Sequence, residues 1–396
     1  MTSQTNHENT YADRNSWVAY ASLYWCSKQY EIDNTVNQII KCLPNLKDKT
    51  EISILVLGMG VGTFELPLLR VLKEKAKREI KLVAIDLYKQ PLYFASHLVA
   101  EGLENLPNST DEFVARILSS KCSHYWDSPI SDNYKIIGDN LFVIDNLDED
   151  ENHTPDWDNL VIFKSTPPNW KKRLLQNHEE FVPVGGFDIV ISSFCLFHLP
   201  NWWRFTLVNA LSLLKPGGLF LHSRIEGDVE MIEGYQSSAY KLLPELKEKE
   251  YSHSNEIMKQ VFLEGLCKDT QFVNYLKNSR PANAVQPFAI NEFLSHLQPE
   301  VENIFDTGYA FQNEVGKEIY LNIIRKGTCS PTRLIKDRLG EVRFDILVNS
   351  IEQKLSKLDL DTKDRIIGKV MWMGFQRSQS VEDFENSPIV QKFING

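Results

Sequence analysis

Short unbroken apolar runs along this chain alternate with longer stretches in which apolar residues return every three or four positions. Ile52-Ser53-Ile54-Leu55-Val56-Leu57 is one such run, and its lack of polar alternation predicts a strand buried on both faces, as in a parallel sheet. Lys81–Asp86, Phe187–Ser193 and Leu219–Ser223 repeat the pattern. Phe64–Leu72 and Leu92–Ala100 take up helical spacing, and another helix follows Pro200. Strand, helix and strand in succession predict an α/β fold built on βαβ units.

Helical spacing dominates elsewhere. In the aromatic-dense stretch Tyr11–Trp25, Trp17, Tyr20 and Tyr24 stand at i, i+3 and i+7, and Val36, Ile39, Ile40 and Leu43 mark a second helix ended by Pro44. Beyond Asp228 the pattern is helical at Met231, Ile232 and Tyr235 and again at Leu242, Leu243 and Leu246. Val301–Phe311 and Glu318–Arg325 then predict a strand pair around a turn. The tail returns to helical spacing at Phe344, Leu347, Val348, Ile351, Leu355 and Leu358, and at Ile366, Ile367, Val370 and Met371. Core packing and a homodimer surface explain that spacing equally well.

Chemistry enters where the first run ends. Gly58, Met59, Gly60, Val61 and Gly62 place glycine at alternate positions between strand and helix. Glycine permits positive φ and close approach of a ligand to the backbone, and the helix start offers free N–H groups. A tight turn that only packs a helix on a sheet needs the same residues. The second run ends in Asp86, and a right-handed crossover places that carboxylate beside the glycine turn, where it can accept both hydroxyls of a ribose.

Composition narrows the classes. The chain has 396 residues, enough for one catalytic domain with additions. A net charge of −10 disfavours nucleic acid as a partner, since phosphate binding needs a basic face. The six cysteines are scattered without a CxxC pair, as expected of buried thiols in a reducing cytoplasm and not of a zinc site. No N-terminal apolar leader and no long uncharged apolar run appears, so a cytoplasmic location with no membrane span is expected. Asp145, Asp148, Glu149, Asp150 and Glu151 cluster without ligand alternation; they read as a solvated loop, and no metal site is expected.

Four motifs stand in order: the glycine turn, the strand-terminal Asp86, Phe187-Asp188-Ile189-Val190-Ile191-Ser192-Ser193 leading to His198-Leu199-Pro200, and Leu213-Leu214-Lys215-Pro216-Gly217-Gly218. In this order the chain resembles the class I S-adenosylmethionine-dependent methyltransferases over about Ile52–Asp228 and the later strand pair. The resemblance implies a Rossmann-like seven-stranded sheet, last strand antiparallel, with helical additions at the N-terminus, within the core and at the C-terminus. The expected layout is an N-terminal helical cap over 1–50, a core over 51–228 and a helical insertion over 229–297 serving as a substrate lid. A closing strand pair over 298–327 and a C-terminal helical extension over 328–396 complete it.

The resemblance also implies roles. S-adenosyl-L-methionine is the cofactor, and its methyl passes by in-line displacement to an oxygen or nitrogen of a small or medium-sized organic acceptor. Gly58, Met59, Gly60 and Gly62 shape the cradle, Asp86 holds the ribose, and Leu87 flanks the adenine. Asn159–Thr166 is expected as the third strand, with Ser165 or Thr166 where relatives often place an acid against the adenine amine. Ser192, Ser193 and Phe194 lie beside the methionine and the transfer site, and His198 is the candidate base. Trp17 and Tyr20 cover the methionine end, a sulfonium being well matched to ring faces, while Trp202 and Tyr235 line the acceptor pocket.

The chain departs from the family pattern in one further place. Val56 stands two positions before the first glycine, where relatives commonly carry an acid. A catalytically inactive cofactor-binding protein, with a regulatory or interaction role, is therefore the main alternative. Nicotinamide binding is weaker because Thr63 stands where the dinucleotide fingerprint wants glycine. Aminopropyl transfer lacks acids between Ser193 and Glu226 to hold a polyamine.

Overall fold

The computed structural model describes Arg14, Trp17, Val18, Ala21, Ser22, Trp25 and residues 29–43, 46–86, 89–119, 134–136, 141–145, 170–193, 195–196, 203–227, 287–316, 340–357, 363–378 and 384–394. The apolar runs become the middle of an eight-stranded sheet. Its strands are β1 (Glu51–Leu57), β2 (Glu79–Asp86), β3 (Tyr134–Ile136), β4 (Leu141–Asp145), β5 (Phe187–Ser193), β6 (Leu214–Gly227), β7 (Val301–Gly316) and β8 (Lys363–Arg377). Across the sheet they run β3-β4-β2-β1-β5-β6-β8-β7. β1 lies parallel to β2 and β5, β2 to β4, and β5 to β6. β8 is antiparallel to both β6 and β7. The expected seven-stranded Rossmann-like sheet with an antiparallel closing strand is present, with the short antiparallel β3 added at one edge.

Period-two alternation sorts each strand's side chains onto two apolar layers. Ile52, Ile54 and Val56 of β1 face one layer, and Leu55 and Leu57 face the other. All five are buried. At about 1.5–3 kcal/mol for each buried side chain of this size, β1 is a fixed rail from which the glycine turn departs. The first layer is covered by α1 (Gln29–Cys42), α2 (Glu65–Ala76), α3 (Lys89–Ala100), α4 (Thr110–Leu118) and α8 (Glu341–Leu355). The second is covered by α5 (Trp170–Asn177), α6 (Trp203–Ser212), α7 (Pro287–His296) and α9 (Pro388–Ile394). Helices on both faces are what a parallel sheet with right-handed crossovers produces.

Two attachments matter for the site. Trp25 stacks on Phe113 at 3.8 Å, and Arg14 donates from Nε to the Ile117 carbonyl at 2.7 Å and from Nη2 to the Ser119 carbonyl at 2.9 Å. A guanidinium on the last carbonyls of α4 satisfies groups the helix leaves open, and it ties the N-terminal segment down. At the other end of the sheet, Asp188 Oδ2 accepts from the Ser53 N–H and hydroxyl at 2.9 Å each, while Lys49 at 2.5 Å and Lys215 at 3.2 Å hold Oδ1. Burial pushes the Asp188 carboxyl up, but the hydrogen bonds from Lys49 and Ser53 and the Lys215 charge outweigh it, leaving the group below its ordinary value. This lock joins the starts of β1 and β5.

Three expectations change. The strand that pairs with β2 is Leu141–Asp145, not Asn159–Thr166, whose residues lie outside the described ones. Asp145 therefore closes a strand, in register with Asp86, and does not belong to a solvated loop. The partner of β7 is Lys363–Arg377, where the spacing of Ile366, Ile367, Val370 and Met371 predicts helix; residues 318–325 lie outside the described ones. The C-terminal region is thus a helix, Glu341–Leu355, followed by a strand next to the sheet's edge, and not a helical extension. Finally, α7 falls within the expected insertion but packs into the core, with Phe293 edge-on to Trp203 at 5.3 Å. Among the described residues no helix is long and apolar enough to cross a membrane.

Candidate ligand crevice at the switch point

From β1 the chain moves outward through β2 to β4, then returns to place β5 on the other side of β1. The strand order reverses between β1 and β5, and ligands of open α/β sheets bind outside the carboxyl ends of the strands at such a point. Three structural pieces meet there. The turn after β1 has positive φ at Gly58 (66°), Gly60 (53°) and Gly62 (75°). It is held by the Gly58 N–H on the Ile85 carbonyl at 2.8 Å and the Gly62 N–H on the Met59 carbonyl at 2.8 Å. The Gly60 N–H donates to Asp86 Oδ2 at 2.7 Å, so the carboxylate at the end of β2 lies against the turn. From the far side, Ser193 ends β5 and Cys195 follows it.

Two glycines are needed for closeness as well as for φ. A Cβ on Gly58 would stand 2.6 Å from Cys195 Cβ, and one on Gly60 would stand 2.6 Å from Trp17 Cη2. The Trp17 ring therefore lies on the middle of the turn, held by the N-terminal segment that Arg14 ties to α4.

Two carboxyls, Asp86 and Glu65, bear on the crevice. Glu65, the first residue of α2, is only 2% exposed. Burial pushes its carboxyl up to about 8; the N–H groups of Glu65 and Phe64 and the facing Ser193 hydroxyl pull the other way, and the Asp86 charge adds to the rise. The Ser193 hydroxyl faces Glu65 without the geometry of a full hydrogen bond. Burial pushes the Cys195 thiol up to about 12, and the charges of Asp86 and Glu65 reinforce it. Such a thiol is no nucleophile at neutral pH. The hydroxyls of Thr63, Ser192 and Ser193 are buried and have no partner among the described residues.

Of the residues expected in the site, Gly58, Met59, Gly60, Gly62, Asp86, Ser192, Ser193 and Trp17 are brought to this corner or the turn that forms it. Leu87, Ser165, Thr166, Phe194, His198, Tyr20, Trp202 and Tyr235 lie outside the described residues. His222 is buried, with Nδ1 at 3.2 Å from the Ser192 carbonyl, as expected of a core histidine supporting the end of β5. The sequence pattern does not single out Glu65, Cys195 or Asp145 for the site. Phe142-Val143-Ile144-Asp145 repeats the form of Val83-Ala84-Ile85-Asp86, a signal that could have found Asp145. Glu65 gives none, because an acid in a first helical turn is ordinary.

Residues 28–276 match a protein family described as "Methyltransferase domain". Among solved structures the chain is similar to a loganic acid methyltransferase with S-adenosylhomocysteine, at 10% identity and a TM-score of 0.39, covering 96% of this chain and 98% of that one. It is also similar to an S-adenosylmethionine-dependent methyltransferase from Thiobacillus denitrificans in complex with S-adenosylhomocysteine, at 12% identity and a TM-score of 0.33, covering 86% and 91%. A Haemonchus contortus phosphoethanolamine N-methyltransferase 2 shares 14% identity at a TM-score of 0.29; the match covers 87% of this chain but only 53% of that one. No curated protein matches the sequence.

Proposed function

Because the chain belongs to the methyltransferase-domain family of S-adenosylmethionine-dependent enzymes, we propose that it methylates an oxygen or nitrogen of a small or medium-sized organic acceptor. The observation that carries this reading is the corner where the Gly60 N–H meets Asp86 at the strand-order reversal. The residues there suit the cofactor: a positive-φ cradle, an acid at the tip of β2, and buried hydroxyls without partners among the described residues. Gly58, Gly60 and Gly62 would let the cofactor approach the backbone, and Asp86 would take the ribose hydroxyls. Asp145 holds the strand-closing position next to Asp86, where an acid serves the adenine amine; it replaces Ser165 and Thr166 in that assignment.

When bound, S-adenosylmethionine supplies an electrophilic methyl on a sulfonium. The chain's part is to bind, orient and exclude water, since placing the acceptor about 3 Å from the methyl accounts for most of the acceleration such a transfer needs. Trp17, seated on the turn, gives the cofactor end of the crevice an aromatic wall and favours a cation beside it. The net charge of −10 and the acidic crevice favour a small acceptor over a nucleic acid.

Calorimetric titration with S-adenosylmethionine, S-adenosylhomocysteine and NAD tests the reading. Binding of the two adenosyl compounds with no comparable NAD affinity is expected. Tighter binding of NAD refutes it, and tight cofactor binding without transfer to any acceptor in a small-molecule panel favours the inactive alternative.

A further inference from the structure

Glu65 has no place in the roles given so far, yet its surroundings are the most specific in the crevice. It is the first residue of α2, buried to 2% exposure, where the helix dipole and the open N–H groups of the first turn favour an anion. Among the described residues, those whose charge or hydroxyl acts on it are Asp86 from β2 and Ser193 from the end of β5, and its own charge acts on the Cys195 thiol in the segment after β5. None of these is a cation. A buried carboxylate with donors but no counter-charge is costly when ionised. Among the described residues, everything that stabilises the anion is therefore present except a positive partner. The Ser193 hydroxyl, more than nine-tenths buried and without a hydrogen-bond partner among the described residues, lies on the same face of β5 as Ile191, the face that α2 covers, and marks this corner as one that a polar ligand completes.

We propose that Glu65 is the anionic anchor for the cationic methionine end of the cofactor. This rests on the reading that the crevice takes S-adenosylmethionine. In the empty crevice at neutral pH Glu65 keeps its proton, because its pKa lies at about 8. As the cation arrives, the Oε–H bond breaks, the proton leaves to solvent, and the carboxylate pairs with the positive group. The ligand carries two such groups, an ammonium and a sulfonium, and its demethylated product retains only the ammonium. Val56, buried on β1 below the turn, supplies no charge here; with Asp86 given to the ribose and Asp145 to the adenine amine, Glu65 is the described carboxylate left for the methionine end.

Calorimetry at pH 7 in two buffers of different ionisation enthalpy counts the protons released on binding, with S-adenosylmethionine and S-adenosylhomocysteine titrated separately. A group with a pKa of about 8 that ionises fully on binding releases about 0.9 proton at pH 7. Release with both compounds identifies the ammonium as the partner; release with S-adenosylmethionine alone identifies the sulfonium. Either supports the inference if Glu65→Gln, which mimics the protonated form in shape, abolishes the release and weakens binding by about tenfold to a hundredfold. Binding of both compounds without release, or with release that survives in Glu65→Gln, overturns the anchor and leaves the methyltransferase reading intact. Failure of both compounds to bind overturns that reading, and the anchor with it.

Discussion

The seating of Trp17 on Gly60 can be tested by adding a single methyl group. Gly60→Ala forces a side chain into a backbone with φ of 53°, which costs about 1–2 kcal/mol. Its Cβ would also stand 2.6 Å from Cη2 and 2.8 Å from Cζ3 of Trp17, an overpacking that costs about 1–3 kcal/mol. The two terms separate in a Trp17→Phe background, because phenylalanine lacks those far ring atoms and only the backbone term remains. Gly60→Ala should therefore cost about 2–5 kcal/mol in the natural chain and about 1–2 kcal/mol beside Phe at position 17. The difference, about 1–3 kcal/mol, exceeds the roughly 0.5 kcal/mol scatter of independent sites. Urea unfolding of the four proteins, followed by far-ultraviolet circular dichroism, measures it. Equal costs in the two backgrounds would show that the ring does not rest on the turn, and would remove Trp17 from the crevice wall.

Further outcomes follow from the two acids at opposite ends of the sheet. Asp86→Ala should weaken S-adenosylhomocysteine binding by about 1.5–3 kcal/mol, the scale of hydrogen bonds to a charged group, with the melting temperature little changed; a collapse in stability at unchanged affinity would make Asp86 structural. Asp188→Asn should cost on the order of 3 kcal/mol at neutral pH, the lower end for breaking a buried pair, since Lys49 and Lys215 are about a quarter exposed. The folded pKa of Asp188 is depressed, so its contribution is present above the unfolded value of about 3.8 and fades as pH falls through the lower folded value. The urea midpoints of natural chain and variant should accordingly converge below about pH 4, and a gap that does not change with pH would refute the charge-based account.

Local chemistry makes the first third of the core legible in the sequence. An unbroken apolar strand, three alternating glycines and an amphipathic helix have one economical arrangement, and a βαβ crossover has one hand. The positions of Gly58, Gly60, Gly62 and Asp86 follow from these alone. So does the end of β5 at Ser193, because Phe187–Ser193 has the same strand grammar.

What escapes a reading of the sequence is decided by partners distant along the chain. Apolar residues at Ile366, Ile367, Val370 and Met371 do not alternate with polar ones, so they fit a helical period as well as a strand. Only pairing with β6 and β7 makes them the antiparallel strand β8, in which Val370 and Trp372 face one layer and Met373 and Phe375 the other. Asp145 looks like one of a run of solvated acids until β4 pairs with β2 and sets it opposite Asp86. Glu65 is an ordinary first-turn acid in the sequence. It becomes a buried carboxyl within reach of Asp86, Ser193 and Cys195 because β5 returns beside β1 and brings its carboxyl end to the start of α2. The sequence by itself determined the strand, the turn and the helix, whose forces act over a few residues. The tertiary structure alone decided which charges share the crevice, because the cost of burying a charge depends on what the rest of the chain brings to its side.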